Sequence, residues 1–363
     1  MEYKFNKTNL LDNLRVLVPI TSLNDALSIL TSLSIEFTKK EVIFSSTNLS
    51  IFIQTKINFE TTDKETIIVP AKKFIQIINK MPEEEIILSK INTHLKIKSG
   101  KCEFELPLFD SKEYPSKPNV DGNKVEFKEK NLKDSLIKVS FACSEEGTRL
   151  ELTGVLFDFN KNKLTLVATD GRRLALTICT ITSSIQDKYI IPQQSILYLL
   201  NIIPFKDTLI SMTISKEFGL IKFQYENIEF ITKLIDIEYP EYKTVIPKDV
   251  PNILKINTTN FCQAIDRADL MTTLNSVAVE LKLEKDKITI FKATQGLGKE
   301  QEEIEVNYKG QEFRIGFNSK YLLDVLNNIN EKEIELRFKD ESSPCLIKVK
   351  NKYIYLLLPI LLK

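Results

Sequence analysis

The sequence gathers chemically capable side chains in one short stretch, Thr169-Asp170-Gly171-Arg172-Arg173-Leu174. An aspartate beside two arginines has the parts of an acid or nucleophile with anion-stabilising cations, as in phosphoryl or glycosyl transfer. The same residues also suit a hairpin turn, because glycine tolerates positive φ and aspartate accepts hydrogen bonds from the backbone that follows it. Both readings are open from the segment alone. Elsewhere the means for catalysis are thin. His94 is the one histidine, which removes histidine-dependent triads and leaves general-base work to Asp, Glu, Lys or Tyr. Cys102, Cys143, Cys179, Cys262 and Cys345 stand singly without a CxxC pair. That pattern fits free thiols in a reducing compartment and gives no basis for a zinc site or a disulfide scaffold.

The elements around the stretch recur. Val69-Pro-Ala-Lys-Lys-Phe74, Ile191-Pro-Gln-Gln-Ser-Ile196 and Phe317-Asn-Ser-Lys-Tyr-Leu322 each open an apolar pattern of helical spacing, closed at Pro82, Pro204 or Asn330 before a strand. An earlier helix opens at Asn9, Asn131 and Asn260, each suited to an N-cap. Strand pairs follow over residues 35–47, 155–169 and 277–294, each ending at a threonine before a polar turn: Thr47-Asn48-Leu49, Thr169-Asp170-Gly171 and Thr294-Gln295-Gly296. Glu113-Tyr114-Pro115 and Glu238-Tyr239-Pro240 close the first two copies. The period, roughly 120 residues, is too long for a solenoid and indicates duplicated domains. We expect an α+β chain of three domains, 1–118, 119–248 and 249–363, each with two helices and two antiparallel sheets. Three such units meeting edge to edge form an arc, and arcs close by head-to-tail association.

Composition is that of a globular chain: 363 residues, 43% hydrophobic and 27% charged. Lys plus Arg (50) balances Asp plus Glu (49), so attraction to nucleic acid requires local placement of charge. Basic residues do fall in or beside the helical segments: Lys72, Lys73, Lys133, Lys138, Arg267 and Lys320. Helices that line a pore with such side chains meet phosphates without reading bases, although a solvated face is the plainer account. No apolar stretch approaches a membrane span, and Met1-Glu-Tyr-Lys-Phe-Asn6 shows no basic segment leading into an apolar core, so a cytoplasmic location is expected.

Ala168-Thr-Asp-Gly-Arg-Arg-Leu-Ala175, Ile315-Gly-Phe-Asn-Ser-Lys-Tyr-Leu-Leu-Asp-Val-Leu326, Val69-Pro-Ala-Lys-Lys-Phe74 and the ending Tyr353-Ile-Tyr-Leu-Leu-Leu-Pro-Ile360 together resemble the bacterial DNA polymerase III beta subunit, the replicative sliding clamp. The likeness runs end to end and in order. It implies a non-catalytic processivity factor without cofactor or metal, half of a ring that two chains complete head to tail around duplex DNA. It also implies a groove for short apolar peptides of the polymerase, the clamp loader and repair proteins. By position that groove would use Leu152, Thr169, Gly171, Arg172, Arg173 and Leu174, with Pro240, Thr244 and Val245 from the linker and Leu357, Leu358, Pro359, Ile360 and Leu361 from the C-terminal strand. The DNA-facing set implied is Lys72, Lys73, Lys133, Lys138, Arg149, Arg267 and Lys320. The dimer contact implied sets Phe104 and Leu106 against Leu270 and Met271 of the second copy. Some positions depart from the resemblance: Arg172 where relatives carry His or another polar residue, Thr244 where some have Arg, a Leu361-Leu362-Lys363 tail, and no arginine around Asn24. An enzyme built on Asp170 would leave the threefold repeat unused, and a scaffold unrelated to nucleic acid would leave the helix charges unused.

Overall fold

The computed structural model describes residues 2–21, 28–145, 149–203, 206, 208–350 and 352–362; Asn24, Pro204 and Lys363 lie outside them. The first copy of the repeat begins with β1 (Glu2–Asn6), α1 (Lys7–Arg15) and α2 (Val18–Thr21). It continues through β2 (Ser32–Phe37), β3 (Glu41–Thr47), β4 (Ile51–Asn58), β5 (Glu65–Pro70), α3 (Ala71–Lys80), β6 (Glu85–Ile91), β7 (His94–Ser99) and β8 (Cys102–Pro107). The second runs β9 (Asn123–Lys128), α4 (Glu129–Ser140), β10 (Gly154–Asn160), β11 (Lys163–Thr169), β12 (Arg173–Thr180), β13 (Gln186–Pro192) and α5 (Gln193–Ile202). It ends with β14 (Leu209–Ser215), β15 (Leu220–Tyr225) and β16 (Ile228–Lys233). The third runs β17 (Asn252–Asn257), α6 (Thr258–Asp269), β18 (Ala278–Glu284), β19 (Lys287–Thr294), β20 (Gly298–Glu305), β21 (Asn307–Tyr308) and β22 (Phe313–Asn318). It closes with α7 (Ser319–Asn327), β23 (Glu333–Phe338), β24 (Cys345–Val349) and β25 (Tyr353–Leu357).

Local rules explain the helix starts, with one shift. Asn6 and Asn257, rather than Asn9 and Asn260, are the N-caps; their side chains accept the backbone N–H of Asn9 and Asn260 at 3.0 Å. The expected asparagines therefore sit in the first turn as donors. Asn318 caps α7 through the N–H of Lys320 at 3.0 Å. Each helix buries one stripe: Leu10, Leu11 and Leu14 in α1, Phe74 and Ile78 in α3, Phe261 and Ile265 in α6, Leu322 and Val325 in α7. Burying side chains of this size contributes ~1.5–3 kcal/mol each, which holds helices too short to persist alone. No helix among the described residues is long and apolar enough to cross a membrane.

Each copy contributes two antiparallel sheets, and sheets of neighbouring copies fuse. The strand orders are β1-β6-β7-β8, then β5-β2-β3-β4-β16-β15-β14-β9, then β13-β10-β11-β12-β25-β24-β23-β17-β21, and finally β20-β19-β18-β22. Compactness follows these fused sheets, not the repeat. One unit holds residues 1–130 and 197–234, the other 131–196 and 235–363, so the middle copy is divided between them. Within the first unit, β4 pairs with β16 and sets Ile53 opposite Phe230. Within the second, β12 pairs with β25 and sets Ala175 opposite Tyr355.

Candidate functional site

The turn between β11 and β12 is built by its own side chains. Oδ1 of Asp170 accepts the backbone N–H groups of Arg172 (2.8 Å) and Arg173 (3.0 Å). Oγ1 of Thr169 donates to the Arg173 carbonyl at 2.5 Å and accepts the Gly171 N–H at 3.0 Å. Gly171 has φ +86°, with open space where a Cβ would stand, so the need for glycine there is torsional. The first copy repeats the device. Oδ1 of Asn48 accepts from Ser50 (3.1 Å) and Ile51 (2.8 Å), and Leu49 takes φ 72°. Gly296 in the third copy has φ 79°. Asp170 is thus a turn former whose second oxygen takes Nε of Arg173 at 3.0 Å.

Arg173 is enclosed. Its Nη2 donates to the Phe141 carbonyl at 2.9 Å, its Nη1 donates to the Asp324 carboxylate on α7, and its guanidinium lies 4.4 Å over the Tyr321 ring. With the side chain only 9% exposed, the charge is satisfied inside the chain. Cys143 lies near by, and burial pushes its thiol up to about 12, so it is no nucleophile at neutral pH.

Beside this turn is a pocket of about 240 Å³ whose floor includes Leu152, Leu174 and Leu356. These belong to a buried apolar cluster with Leu346, Tyr239 and Tyr242. Thr169, Gly171, Arg172, Arg173, Pro240, Val245 and Leu358 also line it. Tyr242 pins the linker by donating to Asp158 at 2.7 Å. That leaves Val245 55% exposed at the mouth. The same place after the first Glu-Tyr-Pro is Val120, which is 3% exposed and packed with Phe52 and Ile231. One junction is plugged where the other stays open.

Several expected residues fall elsewhere. Leu356 and Leu358 face the pocket, so period-two alternation turns Leu357 away, to 1% exposure. Thr244 turns back to donate to the Glu241 carbonyl at 2.8 Å. Pro359, Ile360 and Leu361 leave the pocket, the Ile360 N–H bonding the Gly316 carbonyl at 2.8 Å and Leu361 reaching 83% exposure. The walls also include Arg149, Glu241, Tyr242, Pro344 and Leu356, which sequence reasoning did not assign to them. Strand alternation could have found Leu356; Pro344 comes in only through the β24–β25 pairing.

The basic residues divide. Lys72, Lys73 and Lys320 are exposed and Lys133 is half-buried. Lys138 is buried, its Nζ donating to the Asn328 carbonyl at 2.8 Å beyond α7, and so offers no surface charge. Arg149 stands on the pocket rim, and Arg267 holds Glu302 through two hydrogen bonds of 2.8 and 2.7 Å. Of the interface candidates, Phe104 is 43% and Leu270 72% exposed, Leu106 is 8% exposed on edge strand β8, and Met271 is half-buried.

Three family profiles match in order: the DNA polymerase III beta subunit N-terminal domain over residues 1–119, its central domain over 126–241 and its C-terminal domain over 243–360. The chain is 31% identical to the beta sliding clamp of Staphylococcus epidermidis, covering 96% of this chain and 94% of that one. It is 26% identical to that of Haemophilus influenzae, covering 96% of each. The crystal structure of the Bacillus subtilis DNA polymerase sliding clamp superposes with a TM-score of 0.95 at 28% identity over 100% of both chains. The fused sheets, the three equivalent turns and these likenesses agree: the chain belongs to the DNA polymerase III beta subunit family, the bacterial sliding clamps, and is a non-catalytic processivity subunit of three clamp domains.

Proposed function

We propose that two copies of this chain close head to tail into a ring that surrounds duplex DNA without reading its bases. In this reading, the pocket beside the Asp170 turn docks short apolar peptides of the polymerase, the clamp loader and repair proteins. The domains are taken as 1–118, 119–248 and 249–363.

One observation carries the ring. At both internal junctions the strand after the polar turn of one copy, β4 or β12, pairs with the last strand of the next, β16 or β25. The remaining members of the two series, β20 and β8, are sheet edges. An unpaired edge is a template for another chain. Carrying the same register to a second copy sets Glu300 opposite Phe104, Lys299 opposite Glu105 and Glu303 opposite Lys101, which brings opposite charges together in two of the three pairs. The aromatic contact between Phe141 and Tyr355, with centroids 6.1 Å apart, has its repeat equivalents in exposed Leu270 and Phe104.

Encircling DNA makes each re-encounter of polymerase and template effectively intramolecular. Lys72, Lys73, Lys133 and Lys320 then supply salt-sensitive attraction to phosphates. Lys138 is withdrawn from that role by burial, and Arg149 and Arg267 by their places at the pocket and beside β20. The test is topological. Protein loaded on nicked circular DNA should be retained on the circle and lost once the circle is linearised; equal loss from both forms would sink the ring.

A further inference from the structure

We propose that Glu300 makes closure of the ring proton-linked, so that two copies bind each other more tightly as pH falls. This rests on the ring reading above. Strand register gives the residue its place. Counted from the hairpin pairs Thr38–Glu41, Asn160–Lys163 and Glu284–Lys287, the same position is held by Ser46, Ala168 and Lys292, and all three are buried. Their partners on the next strand are Ile53, Ala175 and Glu300. The third turn is one residue shorter than the second, closing Thr294 on Gly298 where the second closes Thr169 on Leu174, so the two threonines stand at adjacent positions of the register. At the two internal junctions the position is apolar and covered: Ile53 lies opposite Phe230 and Ala175 opposite Tyr355. On edge strand β20 it is a glutamate, and closure would set Phe104 of the second copy against it.

The carboxylate has no partner ready for that cover. Its Oε2 is already buried in the single chain and makes no hydrogen bond. Arg267 on α6 is taken up by Glu302 through bonds of 2.8 and 2.7 Å. Lys292, directly across on β19, turns its Nζ to the Ser276 and Ala278 carbonyls at 2.7 and 2.8 Å. Burial first, and then the charge of Glu302, hold the Glu300 carboxyl above its ordinary value, with Arg267 opposing. From the second copy, Phe104 shares its face of β8 with Cys102 and Leu106, neither of them a cation. Lys73 of that copy's α3 stands where Tyr321 of α7 lies over Arg173, whose place in β20 is Gly298, two residues before Glu300. Covering a carboxylate with an aromatic ring is costly while it is charged, and a proton removes the cost. Closure therefore raises the carboxyl further. The tightening is complete below its value in the single chain and is lost as pH rises through its value in the ring.

Sedimentation velocity on a dilution series of the intact protein, at constant ionic strength, reads the dimer dissociation constant between pH 8 and pH 6. The wild type should tighten by about tenfold on acidification. Glu300→Gln and Glu300→Ala, the second restoring the residue of the internal junction, should bind tightly at both ends of the range and lose the slope; melting curves check that each is folded. A wild-type constant that does not move with pH overturns the linkage and leaves the ring standing. A slope that survives in Glu300→Gln belongs to another group and overturns the assignment. A dimer that weakens on acidification means that Glu300 closes onto a cation such as Lys73, which also overturns it. Monomers of both wild type and Glu300→Ala at every pH remove the ring itself, and this inference with it.

Discussion

Arg173 and Asp324 are joined guanidinium to carboxylate, and the contact ties the start of β12 to α7. With Asp170 and the Phe141 carbonyl as further acceptors, Arg173 acts as a strut of the pocket wall. Arg173→Ala would strand those acceptors, and the expected cost is about 2 kcal/mol, below that of a fully buried pair because Asp324 is 45% exposed. Urea unfolding measures it; an unchanged midpoint would show that the network holds nothing.

Leu270 and Phe104 are exposed apolar residues whose equivalents, Phe141 and Tyr355, pack together beside the β12–β25 pairing. Leu270→Glu should give folded monomers by light scattering, because a charge would face Phe104 in a desolvated contact. A dimer that persists at micromolar concentration would remove this interface.

The turns of the three copies differ in the residue that takes positive φ, Leu49 in the first and Gly171 and Gly296 in the others. Leu49 holds φ 72° with a Cβ, a conformation that costs about 1–2 kcal/mol for such a residue. Leu49→Gly should therefore stabilise the protein by up to about 1 kcal/mol after the loss of chain entropy is counted, and Gly171→Ala should destabilise it by about the same amount. Thermal melts that move in the opposite directions would refute the torsional account.

Alkaline stability follows from buried acids. Burial raises the thiol of Cys143 from 9.0 to about 12, and burial with Glu65 raises the Tyr3 phenol from 10.0 to about 12. Both groups favour the protonated form in the folded state. Their contribution is complete below pH 9 and is lost as pH rises from about 9 to 12, because the unfolded chain releases those protons first. Chemical unfolding at a series of pH values should show that decline, and thiol reagents at pH 8 should leave Cys143 unmodified; rapid labelling of the folded protein would contradict its burial.

The amino-acid sequence by itself determined what depends on spacing and backbone chemistry. The helical stripes, the ~120-residue repeat, the three threonine-led turns and the glycine at 171 were legible there, because periodicity and torsional preference are local. Even the small error at Asn9 and Asn260 was local, a cap placed three residues late. The tertiary structure decided what depends on residues distant in the chain. Two identical-looking valines, Val120 and Val245, became a plug and an open mouth because Tyr242 found Asp158 while the first linker packed onto Phe52. Two adjacent arginines parted in the same way. Arg173 met Asp324, 151 positions along the chain, and became part of the frame. Among the described residues no carboxylate pairs with Arg172, because pairing of charges is settled by packing rather than by neighbours in sequence.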